Sequence, residues 1–61
     1  MDTIYLSDRG VALRYEASRA TIWRWVRDAG LPSPIKLSSG CTRWKLSELV
    51  EWELAREREG R

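Results

Sequence analysis

There is no histidine among the 61 residues and only one cysteine, Cys41. These scarcities exclude an internal disulfide and a four-ligand zinc site, and a single thiol fits a reduced, cytoplasmic setting. Phenylalanine is absent too, so any aromatic core must be built from tryptophan and tyrosine. No apolar run approaches the ~20 residues that span a bilayer, and Met1-Asp2-Thr3 has neither the basic start nor the apolar stretch of a signal peptide. Neither membrane insertion nor secretion is expected. Catalysis also lacks its parts: there is no histidine, no nucleophile beside a base and no phosphate-cradling glycine loop. Five of the nine carboxylates fall after Lys45, in what reads as a solvated helix, so the chain is not expected to be an enzyme.

What the chain does have is tryptophan. A chain of this length fits one domain, residues 1–61, which hides only about 60% of its unfolded surface. Trp23, Trp25, Trp44 and Trp52 partly compensate, because each indole can bury roughly 150–250 Å². The net charge of +2 is unevenly spread: Met1 to Lys45 holds eight Lys/Arg against four Asp/Glu, and Leu46 to Arg61 holds three against five. The basic part, Arg19, Arg24, Arg27, Lys36, Arg43 and Lys45 around Trp23, suits a polyanion or forms an ordinary solvated face.

Along the chain, Ile4-Tyr5-Leu6 is a short apolar opening segment. Ser7 caps a first helix over about Asp8 to Tyr15, with Asp8 placed at the positive end of its dipole. Val11, Ala12 and Tyr15 share one stripe. After Glu16-Ala17, Ser18 caps a second helix to about Ala29, stopped by Gly30 and by Pro32 and Pro34. Ile22, Trp25, Val26 and Ala29 recur with helical period and face inward, leaving Arg19, Ala20, Trp23, Arg24 and Arg27 on the other side. Ile35-Lys36-Leu37 and Thr42-Arg43-Trp44-Lys45 alternate around Ser38-Ser39-Gly40-Cys41, which predicts two strands joined by a four-residue turn. Ser47 then caps a third helix, Glu48 to about Arg58, whose Leu49 and Trp52 cover the first two. Residues 1–3 and 57–61 are expected to fray. The fold class is mainly α with a small β-hairpin: a winged helix-turn-helix, made of the helix-turn-helix, a two-strand wing and a third helix.

Three ordered blocks carry a family resemblance: Ser18-Arg19-Ala20-Thr21-Ile22-Trp23-Arg24-Trp25, Gly30-Leu31-Pro32-Ser33-Pro34-Ile35-Lys36-Leu37, and Thr42-Arg43-Trp44-Lys45-Leu46-Ser47-Glu48-Leu49 with Trp52 closing it. Over nearly its whole length the chain resembles the AlpA-type phage and bacterial regulators, which are related to small excisionases and more distantly to MerR-like winged helix-turn-helix domains. The resemblance implies a cytoplasmic, nucleoid-associated DNA-binding protein that regulates transcription or organises an attachment site for excision. It implies no cofactor. Members commonly carry glycine in the helix-to-helix turn, where this chain has Glu16-Ala17. A left-handed non-glycine costs on the order of 1 kcal/mol, so a slightly different turn is expected. Leu31 replaces the phenylalanine often found before the first proline.

The expected partner is double-stranded DNA, with self-association or cooperative binding on it, and neither a membrane nor a small-molecule substrate. The second helix, Ser18 to Ala29, is placed in the major groove and the wing, Ile35 to Lys45, on the backbone or minor groove. Arg19 and Arg24 can each hold guanine O6 and N7, or a phosphate. Ala20 allows close approach or touches a thymine methyl. Ser18 and Thr21 either bind phosphate through their hydroxyls or simply build the helix start. Trp23 donates its indole N–H to phosphate, or covers the wing or a partner protein. Lys36, Arg43 and Lys45 are the wing cations, phosphate ligands or groove probes, with solubilising strand surface as the plain alternative. Arg43 can also stack on Trp44 or pair with a carboxylate. Trp25, Trp44 and Trp52 are assigned to the core. Glu53 and Arg56 are a candidate pair along the third helix. The rival function is a protein-binding adaptor of the same fold, using Val50, Leu54 and Trp23.

Overall fold

The helices begin where free backbone amides find a substitute partner. The computed structural model describes residues 3–60, in the order β1 (Tyr5–Leu6), α1 (Asp8–Tyr15), α2 (Arg19–Asp28), β2 (Ile35–Ser38), β3 (Cys41–Lys45) and α3 (Leu46–Glu59). Residues 1, 2 and 61, within the ends expected to fray, lie outside the described residues. Ser7 and Ser18 cap α1 and α2 as their positions predict: Ser7 Oγ accepts from the Gly10 amide and Ser18 Oγ from the Thr21 amide, both at 3.1 Å.

The third helix departs from its sequence pattern at both ends. It starts at Leu46, directly off β3, and Ser47 is not its cap; Lys45 occupies that position without a side-chain hydrogen bond. The reason lies in the opening segment, which supplies a strand. Tyr5 pairs with Lys45 and Leu6 with Trp44, and the Ile4 carbonyl accepts the Leu46 amide at 2.9 Å. One of the orphan amides of a helix start is thus satisfied by the residue just before β1. At the other end, residues 57–59, expected to fray, are helical, and the Gly60 amide closes the last turn onto the Arg56 carbonyl at 2.8 Å.

The sheet therefore has three antiparallel strands, β1-β3-β2, rather than the two of a simple hairpin. Its turn is also tighter than the four residues expected. Ser38 pairs with Cys41, leaving Ser39-Gly40 between, because Gly40 takes a φ of +76° that glycine adopts freely. A one-residue irregularity between Lys36 and Ser38 accommodates Leu37. At the end of α2, Gly30 (φ +75°) turns the chain so that the Leu31 amide returns to the Trp25 carbonyl and the Leu31 side chain enters the core. Helix, turn, helix, hairpin and closing helix make a winged helix-turn-helix.

Val11, Ala12, Ile22, Leu31, Trp44 and Leu49 form the buried core. Trp44 is 1% exposed, as its core assignment expects. Trp25 and Trp52 are half-buried beside that core, and Tyr15 joins them in an aromatic cluster with ring centroids 5.9–6.1 Å apart. Glu53 does not pair with Arg56. It accepts from Arg14 Nε and Nη2 at 2.6 and 2.8 Å and from the Tyr15 hydroxyl at 2.5 Å, while the Arg56 guanidinium lies 5.3 Å over the Trp52 ring. The carboxylate prefers this cross-helix site because a two-toothed guanidinium contact is stronger than a single exposed pair along a helix. None of the described helices is long and apolar enough to cross a membrane.

The turn between α1 and α2, which has Glu16-Ala17 where glycine is expected, is left-handed at Glu16. Glu16 adopts φ 52°, ψ 44°, its amide reaches the Leu13 carbonyl at 3.2 Å, and the Ala17 amide reaches that of Ala12 at 2.9 Å. These are the two bonds of a Schellman ending with glutamate where glycine is usual. Glu16→Gly is therefore expected to stabilise the protein by about 0.5–1 kcal/mol, relief of the left-handed strain outweighing the entropy of glycine. Thermal melting checks this: an unchanged or lower midpoint would show that Glu16 carries no strain.

The clamp between α1 and α3 makes stability depend on pH at both extremes. The Arg14 guanidinium, against some opposition from burial and with help from the Tyr15 hydroxyl, holds the Glu53 carboxyl below its ordinary value. Burial and the bond to Glu53 push the Tyr15 hydroxyl up to about 12. A lowered acid contributes stability above its unfolded pKa and loses it as pH falls; a raised phenol contributes below its ordinary 10 and loses it as pH rises towards 12. In urea unfolding, the stability gap between the parent and Glu53→Gln is expected to hold near neutrality and close as pH falls below about 4. A gap independent of pH would refute the clamp.

Candidate nucleic-acid interface

A helix turns its side chains by period 3.6, so burying Ile22 commits the opposite residues of α2 to water. Ile22 is fully buried and Trp25 and Val26 are half-buried, whereas Arg19, Ala20, Trp23, Arg24 and Arg27 are all exposed on the other side. Ser18 and Thr21 stand at the start of this face, their hydroxyls 2.8 Å apart. Arg27 Nε lies 3.3 Å from Oδ1 of its neighbour Asp28. Arg24 makes no hydrogen bond or ion pair among the described residues.

Two residues of the face are held from outside α2. Asp8 Oδ2 lies 3.1 Å from Arg19 Nε and 3.4 Å from Trp23 Nε1. Burial opposes ionisation of this carboxyl, but hydrogen bonds from Trp23, Arg19 and the Arg9 amide outweigh it and keep its pKa below the ordinary value. The Trp23 ring also packs on Trp44, centroids 5.1 Å apart, and Trp44 donates its indole N–H to the Pro32 carbonyl at 2.7 Å. Trp23 thus covers the wing root, as one of its sequence readings has it, while staying 43% exposed. Sequence reasoning placed Asp8 only at the helix dipole. Its partners are 11 and 15 residues away, and no local spacing marks them.

The wing cations do not form one set. Residues paired across antiparallel strands share a face, and neighbours along a strand alternate. Lys36 pairs with Thr42 and so lies on the sheet face of Trp44, whose indole meets Trp23 of α2. Arg43, paired with Ile35, and Lys45, paired with Tyr5, lie on the other face. Arg43 is also bound back to the chain, Nη1 to the Thr42 carbonyl at 2.8 Å, whereas Lys36 is exposed and without a hydrogen bond or ion pair among the described residues. Lys36 thus shares the sheet face of Trp44, which touches Trp23 of α2, and Arg43 and Lys45 share the reverse face. An open groove lined by Gly30, Pro32, Ser33, Glu48, Glu51 and Trp52 carries two carboxylates and repels a polyanion.

A family model described as prophage CP4-57 regulatory protein (AlpA) matches residues 6–57, from the second residue of β1 almost to the end of α3. No curated protein and no solved structure matches the chain.

The two tilted, touching indoles differ in what they support. Trp44→Ala empties a fully enclosed site and is expected to cost about 3–5 kcal/mol, a large part of a small domain's stability. Trp23→Ala removes one aromatic contact at the surface, worth about 0.5–1.5 kcal/mol beyond its area, and the protein should still melt cooperatively. Circular dichroism melting of both variants checks the order; equal losses would mean that Trp23 belongs to the core rather than to the exposed face.

Proposed function

The chain belongs to the AlpA family of prophage regulatory proteins, and from that premise we propose that it is a sequence-specific duplex-DNA-binding domain acting at a promoter or at an attachment site. The observation that carries the reading is the exposed face of α2, with Arg19, Arg24 and Arg27, continuous through the Trp23–Trp44 contact with the side of the wing that bears Lys36. In this reading α2 enters the major groove and the hairpin lies on the adjoining backbone or minor groove. Arg19 and Arg24 read base edges, and Ala20 lets the helix approach them. Ser18, Thr21 and Arg27 hold phosphate, and Lys36 does so from the wing with Arg43 and Lys45 further out, while Trp23, whose indole N–H is on Asp8, shapes the face where it meets the wing. No chemistry is assigned to the site, and the work is nucleoid-associated. Val50 and Leu54, exposed on α3, leave a separate surface for self-association on DNA.

Binding is expected to weaken with salt at a logarithmic slope of roughly 3–5 per monomer, about 0.9 for each phosphate engaged. Arg19→Ala should cost about 1–3 kcal/mol on a selected site and blur preference at one or two base pairs. Lys36→Ala should weaken selected and random duplexes alike and reduce the slope by about one. Titrations of the parent and both variants at several salt concentrations decide it. Absence of salt-sensitive binding by the parent would favour the adaptor reading instead, and a change of preferred sequence on Lys36→Ala would reverse the roles of helix and wing.

A further inference from the structure

We propose that Asp8 is a positioning residue for DNA reading: from the start of α1, its carboxylate holds the Arg19 guanidinium by Nε and so presents the Nη1/Nη2 edge to a base. The inference rests on the reading of α2 as the helix that enters the groove.

A carboxylate can position another side chain only if it is itself held. Ser7 caps α1 through the Gly10 amide, which sets the backbone at Asp8. The Arg9 amide donates to Asp8 Oδ1 at 2.8 Å, which sets the side chain. Oδ2 then faces α2, where it meets Arg19 Nε and, one helical turn further on, Trp23 Nε1. Trp23 is in turn seated on Trp44, so the carboxylate is placed from both sides. The pair is partly open to water, with side-chain exposures of 26% for Asp8 and 57% for Arg19.

A guanidinium has five N–H donors in a planar fork. Asp8 takes the one on Nε; among the described residues no hydrogen bond engages Nη1 or Nη2, whose edge matches the two acceptors of guanine. An arginine already held in one orientation loses less freedom on binding than one that must be ordered by the DNA itself. The same negative charge stands close to the path of the phosphates and repels every sequence equally. Asp8 thus lowers affinity for DNA in general and raises discrimination between sequences. A simple electrostatic mask would lower both kinds of binding and leave their ratio untouched, and that opposition of signs identifies the role.

The test uses the full chain with two probes: a duplex selected by the parent protein from a random library, and a random-sequence duplex of equal length. Asp8→Ala is expected to bind the random duplex as tightly as the parent or up to several-fold tighter, while the selected-to-random ratio falls roughly 5–10-fold, part of what a bidentate arginine–guanine contact supplies. In an Arg19→Ala background the same substitution should leave the ratio within about two-fold, since the arginine it positions is gone. Asp8→Asn, which keeps the shape and one acceptor, should fall between. In the free protein, the Arg19 Nε–H signal in nitrogen-15 spectra should become averaged in Asp8→Ala, and melting near the parent midpoint excludes unfolding as the cause. Parent preference that survives Asp8→Ala, or a ratio that falls equally without Arg19, would overturn the inference alone. A parent with no site preference would overturn the DNA reading and this inference with it.

Discussion

Trp44 is the residue on which the arrangement of the other elements depends. Its indole is enclosed almost completely, and a buried N–H left without an acceptor would cost more than a typical hydrogen bond contributes. The Pro32 carbonyl satisfies it at 2.7 Å, which fixes the loop after α2 against β3. The other strand contact of Trp44 is Leu6, its partner in β1, and its ring supports Trp23 on α2. One side chain therefore sets the distance of the wing from the second helix, the path of the proline loop and the place of the first strand. Displacing it would separate the exposed face of α2 from Lys36.

The rest of the domain is held by contacts that lie off this centre. Arg14, Tyr15 and Glu53 tie α1 to α3 at the edge of the aromatic cluster, and Trp52 donates to the Ala29 carbonyl at 3.3 Å, closing α3 over the end of α2. A small core has little reserve, so these edge contacts matter more than they would in a larger protein. The left-handed Glu16 works against them. Its conformation persists because the Ala17 amide bond to Ala12 and the packing of Ala17 against the core require the chain to turn there.

Charge is organised by the same few contacts. The basic residues split into a face on α2 with Lys36 and a second set, Arg43 and Lys45, on the reverse of the sheet. Asp28 lies beside Arg27 within α2, and Asp8 brings a negative group onto the first from outside that helix. That carboxylate is bonded on both oxygens, so it acts as part of the framework of the face rather than as a stray surface charge.

Much of this was legible in the sequence because it is written at short range. Serine before a helix, glycine after one and apolar residues at helical spacing act within a turn or two of chain, and they located α1 and α2, the exposed residues of α2 and the buried Trp44. The four-residue turn was misjudged because glycine at 40 allows a tighter one, which alternation alone does not reveal. The third strand, the start of α3 at Leu46, the pairing of Glu53 with Arg14 and the hold of Asp8 on Arg19 and Trp23 all join residues far apart along the chain. Local pattern carries no information about such pairs. The sequence by itself thus determined which residues become helix, which face of α2 meets water and that the core is built from indoles. The tertiary structure alone decided which charges face one another, because strand register and helix docking set those distances, and both are fixed only once Trp44 and its neighbours have packed.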